Sequence, residues 1–240
     1  MRALIKKIAL VCRNTLIRMP KPQIHKDLLT LGTSYGQKTL DVSKAMNYIV
    51  SAGAGDDISW ESELIGRYEV SVALLDPTDL AKDFVKSYLH SNQYLMNRKT
   101  GSRLVFLQLA LWNRSGFIEM YAPKVLGDNN YSISDIQDTK SYLPSINVEC
   151  ITIAELMENL HWRHLDVLKL DIEGGVYEVL KHMFDSQIYP TQILIEVDEL
   201  FFVNPKNLIK ARRIFSLLIK HEYICVYRRY FDFTYVYKQH

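Results

Sequence analysis

Cysteine is scarce in this chain. Cys12, Cys150 and Cys225 stand far apart with no C-x-x-C pair, which excludes a disulfide framework and a zinc-ligand spacing. A reducing compartment, the cytoplasm, is the simpler setting. Charge of one sign is also lacking. With 29 Lys and Arg against 27 Asp and Glu the net charge is +2, too small to argue for a nucleic-acid partner. No apolar run is long enough to cross a bilayer. Arg13 and Arg18 interrupt the N-terminal apolar segment and no A-x-A-like site follows, which argues against a secretory signal. The 10 glycines and 7 prolines are scattered, so no linker divides the chain. The 7 histidines form no metal-ligand pattern.

Apolar residues, by contrast, are plentiful: 48% of the chain, enough for a large core. The expected organisation is a helical, basic extension over 1–44 and one domain over 45–240. Seven basic residues (Arg2, Lys6, Lys7, Arg13, Arg18, Lys21 and Lys26) precede the first acid, Asp27. Two readings stay open for this segment: a helix that caps the domain by its apolar face, or peripheral contact of residues 1–26 with anionic lipid at the inner face of a membrane.

Along 45–240, apolar runs alternate with helical spacing. Strands are predicted at 48–52, 70–75, 148–151, 167–170 and 192–197, with helices at 59–68, 79–90, 153–160, 176–184 and 206–220. Thr78 and Thr152 read as helix caps, and Asn204-Pro205 as a cap followed by proline in the first turn. A strand over 103–112 turns at 113–116 and returns over 117–121 as its hairpin partner. Residues 123–144 form a long polar loop. Two strands, 223–227 and 233–237, close the chain as an antiparallel hairpin. This alternation predicts an α/β fold around a mainly parallel sheet.

Two strand ends carry the chemistry. Ile49–Ala52 runs into Gly53-Ala54-Gly55-Asp56-Asp57, a tight turn that lets backbone approach a ligand. Asp76-Pro77 ends the next strand, at the spacing where an acid accepts hydrogen bonds from ribose hydroxyls. The third glycine of a dinucleotide fingerprint would fall at Ile58, which disfavours NAD or FAD and favours an adenosyl ligand without a pyrophosphate. The second strand end is Asp171-Ile172-Glu173-Gly174-Gly175.

Three segments resemble the FkbM family of S-adenosylmethionine-dependent methyltransferases. They are 49–78, with G-A-G-D-D-I-S-W-E-S-E-L-I and L-L-D-P-T; 109–123, L-A-L-W-N-R-S-G-F-I-E-M-Y-A-P; and 168–180, L-K-L-D-I-E-G-G-V-Y-E-V-L. The resemblance implies a class I, Rossmann-like, seven-stranded fold with helices on both faces of the sheet. It also implies S-adenosyl-L-methionine as cofactor and a hydroxyl of a glycan, glycolipid or glycosylated metabolite as acceptor. The cofactor-binding set is then Ser51, Gly53, Gly55, Asp57, Asp76, Pro77, Leu111 and Asp171. The chain departs from the family at Gly175, where Ala is commoner, and at Glu196-Val197-Asp198, where the family has Glu-Phe-His.

Methyl transfer to a hydroxyl needs alignment and a group that removes the proton. Asp171 is the first candidate, as base or anchor, and Glu173 and Glu196 are the next. Asp171 read structurally would cap the following helix. Asp171, Glu196 and Asp198 together are hard oxygen donors of the kind a divalent cation takes. The rival functions are a non-catalytic nucleotide-binding or scaffold protein and an NAD-dependent oxidoreductase. Glycine and acid at the expected positions argue against the first, and Ile58 against the second.

Overall fold

The computed structural model describes residues 19–44, 46–96, 103–121, 131, 145–201 and 204–238. Of the basic N-terminus, residues 1–18 fall outside this set, as does the loop 123–144 except Tyr131.

The chain order is β1 (Leu28–Leu31), β2 (Lys38–Asp41), β3 (Tyr48–Ala52), α1 (Ser59–Arg67), β4 (Ser71–Leu75), α2 (Asp79–Ser91), β5 (Arg103–Leu107), β6 (Ala110–Leu111), β7 (Gly116–Tyr121), β8 (Ser145–Ile151), α3 (Ile153–Asn159), β9 (Val167–Leu170), α4 (Val176–Asp185), β10 (Gln192–Glu196), α5 (Pro205–Lys220), β11 (Tyr223–Arg229) and β12 (Asp232–Tyr237). The main sheet has seven strands in the order β5-β4-β3-β9-β10-β12-β11. Its first five strands in that order run parallel, and β12 pairs antiparallel with both β10 and β11. Order reverses at β3 and β9, and at such a switch point the loops diverge and leave a crevice.

Side-chain alternation explains the layers. Val50, Leu168 and Ile193 face one core with α3, α4 and α5, while Ile49, Val167 and Leu194 face the other with α1 and α2. Both faces of the central strands are covered, so they read as continuous apolar runs. The helix starts behave as their caps predict: Thr78, Thr152 and Asn204 accept from Ala81 N, Glu155 N and Asn207 N.

Two sequence expectations are corrected. The segment 28–41 is not helical; β1 and β2 form an antiparallel hairpin. Leu31 and Leu40 bury against Trp60 and Leu64, so the hairpin is part of the second core. The expected hairpin of 103–112 with 117–121 does not form. Its first strand breaks after Leu107, and β6, β8 and β7 make a separate three-stranded sheet in which β8 pairs with both others.

Polar contacts fix the β1–β2 hairpin over β10 and β12. Gln192 reads the Asp41 backbone in both directions: its Oε1 accepts from Asp41 N at 2.8 Å and its Nε2 donates to Asp41 O at 2.8 Å. Thr234 Oγ1 donates to Thr39 O at 2.5 Å. Gln23 N donates to Cys225 O, and His25 Nδ1 pairs with Asp41 Oδ2, so residues just before the hairpin are tied down too. Among the described residues no helix is long and apolar enough to cross a membrane.

Gln192 is fully buried. Gln192→Leu therefore strands a buried N–H and C=O of Asp41, and should lower unfolding free energy by about 1–3 kcal/mol in urea titration. The same variant should speed protease cutting within 28–41 ahead of global unfolding.

Candidate active site

A cleft of about 280 Å³ opens at the carboxyl ends of β3, β4, β9 and β10. Of the residues predicted from sequence, Gly53, Gly55, Asp57, Asp76, Pro77, Leu111, Asp171, Glu173 and Glu196 line it. Tyr131 from the long loop lines it as well. Ser51 does not. It is fully buried on the α1 side of β3, and its hydroxyl donates to Glu61 Oε1 at 2.5 Å. Its cofactor-binding role is withdrawn on that geometry.

The two loops meet backbone to backbone. Gly53 has φ +92°, and a Cβ there would stand 2.0 Å from the Asp171 carbonyl oxygen. Asp171 N donates to Ala52 O, and Gly53 N to Leu75 O. Glycine at 53 is thus demanded by the neighbouring loop itself. Gly55, at φ +50°, faces open space, and a Cβ added there would meet nothing within 4 Å. It leaves a bare backbone cradle at the cleft wall.

The acids of the first loop act mainly on the loop. Asp76 Oδ2 accepts from Ala54 N at 3.0 Å and Gly55 N at 3.1 Å; Oδ1 accepts from Thr78 N at 2.9 Å and Thr78 Oγ1 at 2.6 Å. Its acceptor positions are filled by the protein, so Asp76 shapes the glycine turn while bordering the cleft. Asp57 Oδ1 accepts from Ser59 N at 2.8 Å, and Oδ2 accepts from the Thr33 hydroxyl. Burial works against its charge, but the Ser59 and Thr33 hydrogen bonds hold its carboxyl below the usual range. Asp57 therefore locks the hairpin turn to the start of α1. Ile58 is fully buried beside it, which leaves no glycine face for a pyrophosphate.

Two lysines that sequence reasoning passed over organise the floor. Lys169 pairs across the register with Ser51, buried in the sheet. Its ammonium donates to Glu61 Oε1 at 3.1 Å and to Gly53 O at 3.0 Å. A lysine inside an otherwise apolar strand, in L-K-L-D, was the available signal. Lys38, from β2, lies 3.0 Å from Asp171 Oδ2, 3.0 Å from Glu196 Oε2 and 2.6 Å from Asp232 Oδ1. Burial opposes its charge, yet the three carboxylates hold its pKa well above the usual value.

This arrangement grades the acids. Burial pushes Asp171 up, but the ammonium groups of Lys38 and Lys169 outweigh it, so Asp171 stays below the ordinary carboxylate range and ionised. Glu196 is raised to about 7, first by burial and then by the negative charge of Asp171. Asp198 is pushed well up by burial and by the charge of Glu173. Asp198 Oδ2 has no hydrogen-bond partner among the described residues, as fits a neutral carboxyl. Asp171, expected as base or anchor, is thus held ionised, while Glu196 lies near neutrality, the range in which a general base works.

The metal expectation fares worse. Among the described residues no group of three His, Cys, Asp or Glu has the geometry to hold an ion. Lys38 Nζ stands where Asp171 and Glu196 converge, in the place a cation would take. The donor set does not fit a divalent metal.

Strand order, switch-point cleft and glycine loop together define a class I methyltransferase fold. The profile of the Methyltransferase FkbM domain matches residues 85–224, and the chain belongs to that family. A solved FkbM methyltransferase from Methylobacillus flagellatus KT is similar in structure, with TM-score 0.52 and 14% identity over 80% of this chain. This chain spans 44% of that protein's length. The SAH-bound methyltransferase PaMTH1 of Podospora anserina overlaps more loosely, with TM-score 0.41 and 10% identity over 80% of this chain and 72% of its own. A search of curated proteins gave no match.

The glycine geometry makes a sharp contrast. Gly53→Ala should abolish the folded state or cost more than about 3 kcal/mol, because backbone must move. Gly55→Ala meets no atom and should cost about 1 kcal/mol from the left-handed backbone alone. Thermal and urea unfolding of the two variants checks this.

Proposed function

We propose that the chain is an S-adenosylmethionine-dependent O-methyltransferase whose acceptor is a hydroxyl of a sugar in a glycan, glycolipid or glycosylated metabolite. The observation that carries the O-transfer reading is Glu196, a carboxylate raised to about 7 at the cleft wall beside ionised Asp171. A hydroxyl needs such a base, because its proton must leave as the new bond forms. The sugar itself is taken from the family resemblance and is an analogy.

The residues present fit an adenosyl cofactor. The bare turn at Gly55 offers backbone, and Leu75, Pro77 and Leu111 offer an apolar wall beside Asp76. Bound there, S-adenosylmethionine would supply a methyl group on a sulfonium, whose sulfur would leave as the neutral thioether. Asp171 stays charged and orients the acceptor by hydrogen bonding. Glu196 Oε takes the acceptor's proton. Asp198, kept neutral, adds no repulsion as Glu196 ionises. The seven acids that line the cleft against two lysines favour a cationic cofactor.

Calorimetry should show micromolar-range binding of S-adenosylhomocysteine and none of NAD; tighter NAD binding removes the reading. With labelled methyl donor and a panel of sugar nucleotides and glycolipids, Glu196→Gln should keep cofactor affinity and lower turnover at least about 10²-fold. Below its midpoint Glu196 is protonated and cannot accept, so turnover should rise with pH through about 7 in wild type. An activity flat from pH 5 to 9 contradicts a Glu196 base.

A further inference from the structure

We propose that Lys38, delivered by the β1–β2 hairpin, is a positioning residue of the active site: its ammonium ties Asp171, Glu196 and Asp232 into one arrangement. The inference deepens the methyltransferase reading above, since it concerns the same cleft. It extends the catalytic apparatus to a segment that lies outside the residues the family profile matches.

Geometry carries the argument. The three carboxylates come from the ends of β9, β10 and β12, and each reaches Lys38 Nζ within 3.0 Å. Lys38 is only 9% exposed, so the ammonium is largely stripped of water and depends on these partners. Without it, only the Lys169 ammonium acting on Asp171 would offset three converging acids, and they would repel or take up protons. Each group facing Glu196 bears on its proton affinity: Lys38 from β2, Asp171 from the end of β9, Asp232 from β12, and Asp198 in the turn after Glu196. Lys38 is the cation among these, and it lowers the Glu196 proton affinity that burial, Asp171 and Asp232 raise.

A purely structural role for Lys38, as an anchor for the hairpin, is separable. The hairpin has other attachments: Gln192 on Asp41, Thr234 on Thr39, Thr33 on Asp57, and Leu31 and Leu40 in the core. Removing one ammonium should leave it docked while the acids redistribute their protons.

The test follows the Glu196 proton directly. Full-length protein labelled with carboxyl-¹³C glutamate is titrated by NMR, with Glu196→Gln to assign the signal. Wild type should titrate near 7. Lys38→Met should move that midpoint up by about one pH unit or more, and Lys38→Arg should bring it back. Protease cutting within 28–41 should stay at the wild-type rate in both. A Glu196 midpoint unmoved in Lys38→Met overturns the proposal, and so does faster hairpin cutting with no change in midpoint. If Lys38→Met does not fold, Lys38→Gln removes the charge and keeps a hydrogen-bond donor. A wild-type midpoint in Lys38→Gln would overturn the proposal, because Asp171 and Asp232 would still press on Glu196 without their counter-charge. Where wild type methylates an acceptor, the acid limb of kcat should move with the NMR midpoint while affinity for S-adenosylhomocysteine holds. The titration needs no acceptor, so a failed methylation screen counts against the function alone.

Discussion

Everything at the cleft depends on the contact between Gly53 and the Asp171 carbonyl. A side chain at 53 would occupy the space of that oxygen, 2.0 Å away. The two loops therefore pack as backbone on backbone, at the point where strand order reverses. Lys169 completes the joint by donating to Gly53 O from below. The glycine commonly credited to ligand approach is here a requirement of loop packing, and Gly55 is the one that leaves room. This joint sets where Asp171 ends its strand and so which neighbours its carboxylate meets.

What it meets is a group of acids kept in different protonation states by two lysines. Asp171 borders both ammonium groups and stays ionised; Glu196 borders one and faces two negative charges. Like charges this close cannot all ionise at once, and the graded set is what places one proton-accepting group near neutrality. The grading also explains why Asp198 is tolerated. Buried and short of partners, it is held neutral by its neighbours.

Much of this was legible in the residues. Central strands buried on both faces leave long apolar runs, and Thr78, Thr152 and Asn204 announce their helices, so the main sheet and its order of elements could be read. Gly53, Gly55, Asp57, Asp76, Asp171, Glu173 and Glu196 line the cleft, whereas Asp198, offered as a metal donor, does not. Ser51 failed because strand parity decides which face a residue takes, and parity here sends it toward Glu61. The hairpin at 28–41 was hidden by strands of four residues, one of them the polar Lys38-Thr39-Leu40-Asp41. Lys38 and Asp232 lie 194 residues apart, and no local pattern encodes such a meeting. The pairing of β7 with β8 escaped because its partner comes after the long loop, whereas sequence proximity suggested β5 and β6.

The central claim is that one cleft holds the methyl donor with its reactive end toward Glu196 and Asp171. A crystal structure with S-adenosylhomocysteine tests it most directly. The account predicts the adenosine beside Gly55, Asp76, Pro77 and Leu111, with the sulfur facing the Glu196 and Asp171 carboxylates. An adenosine bound elsewhere, or a sulfur turned away from Glu196, would contradict it.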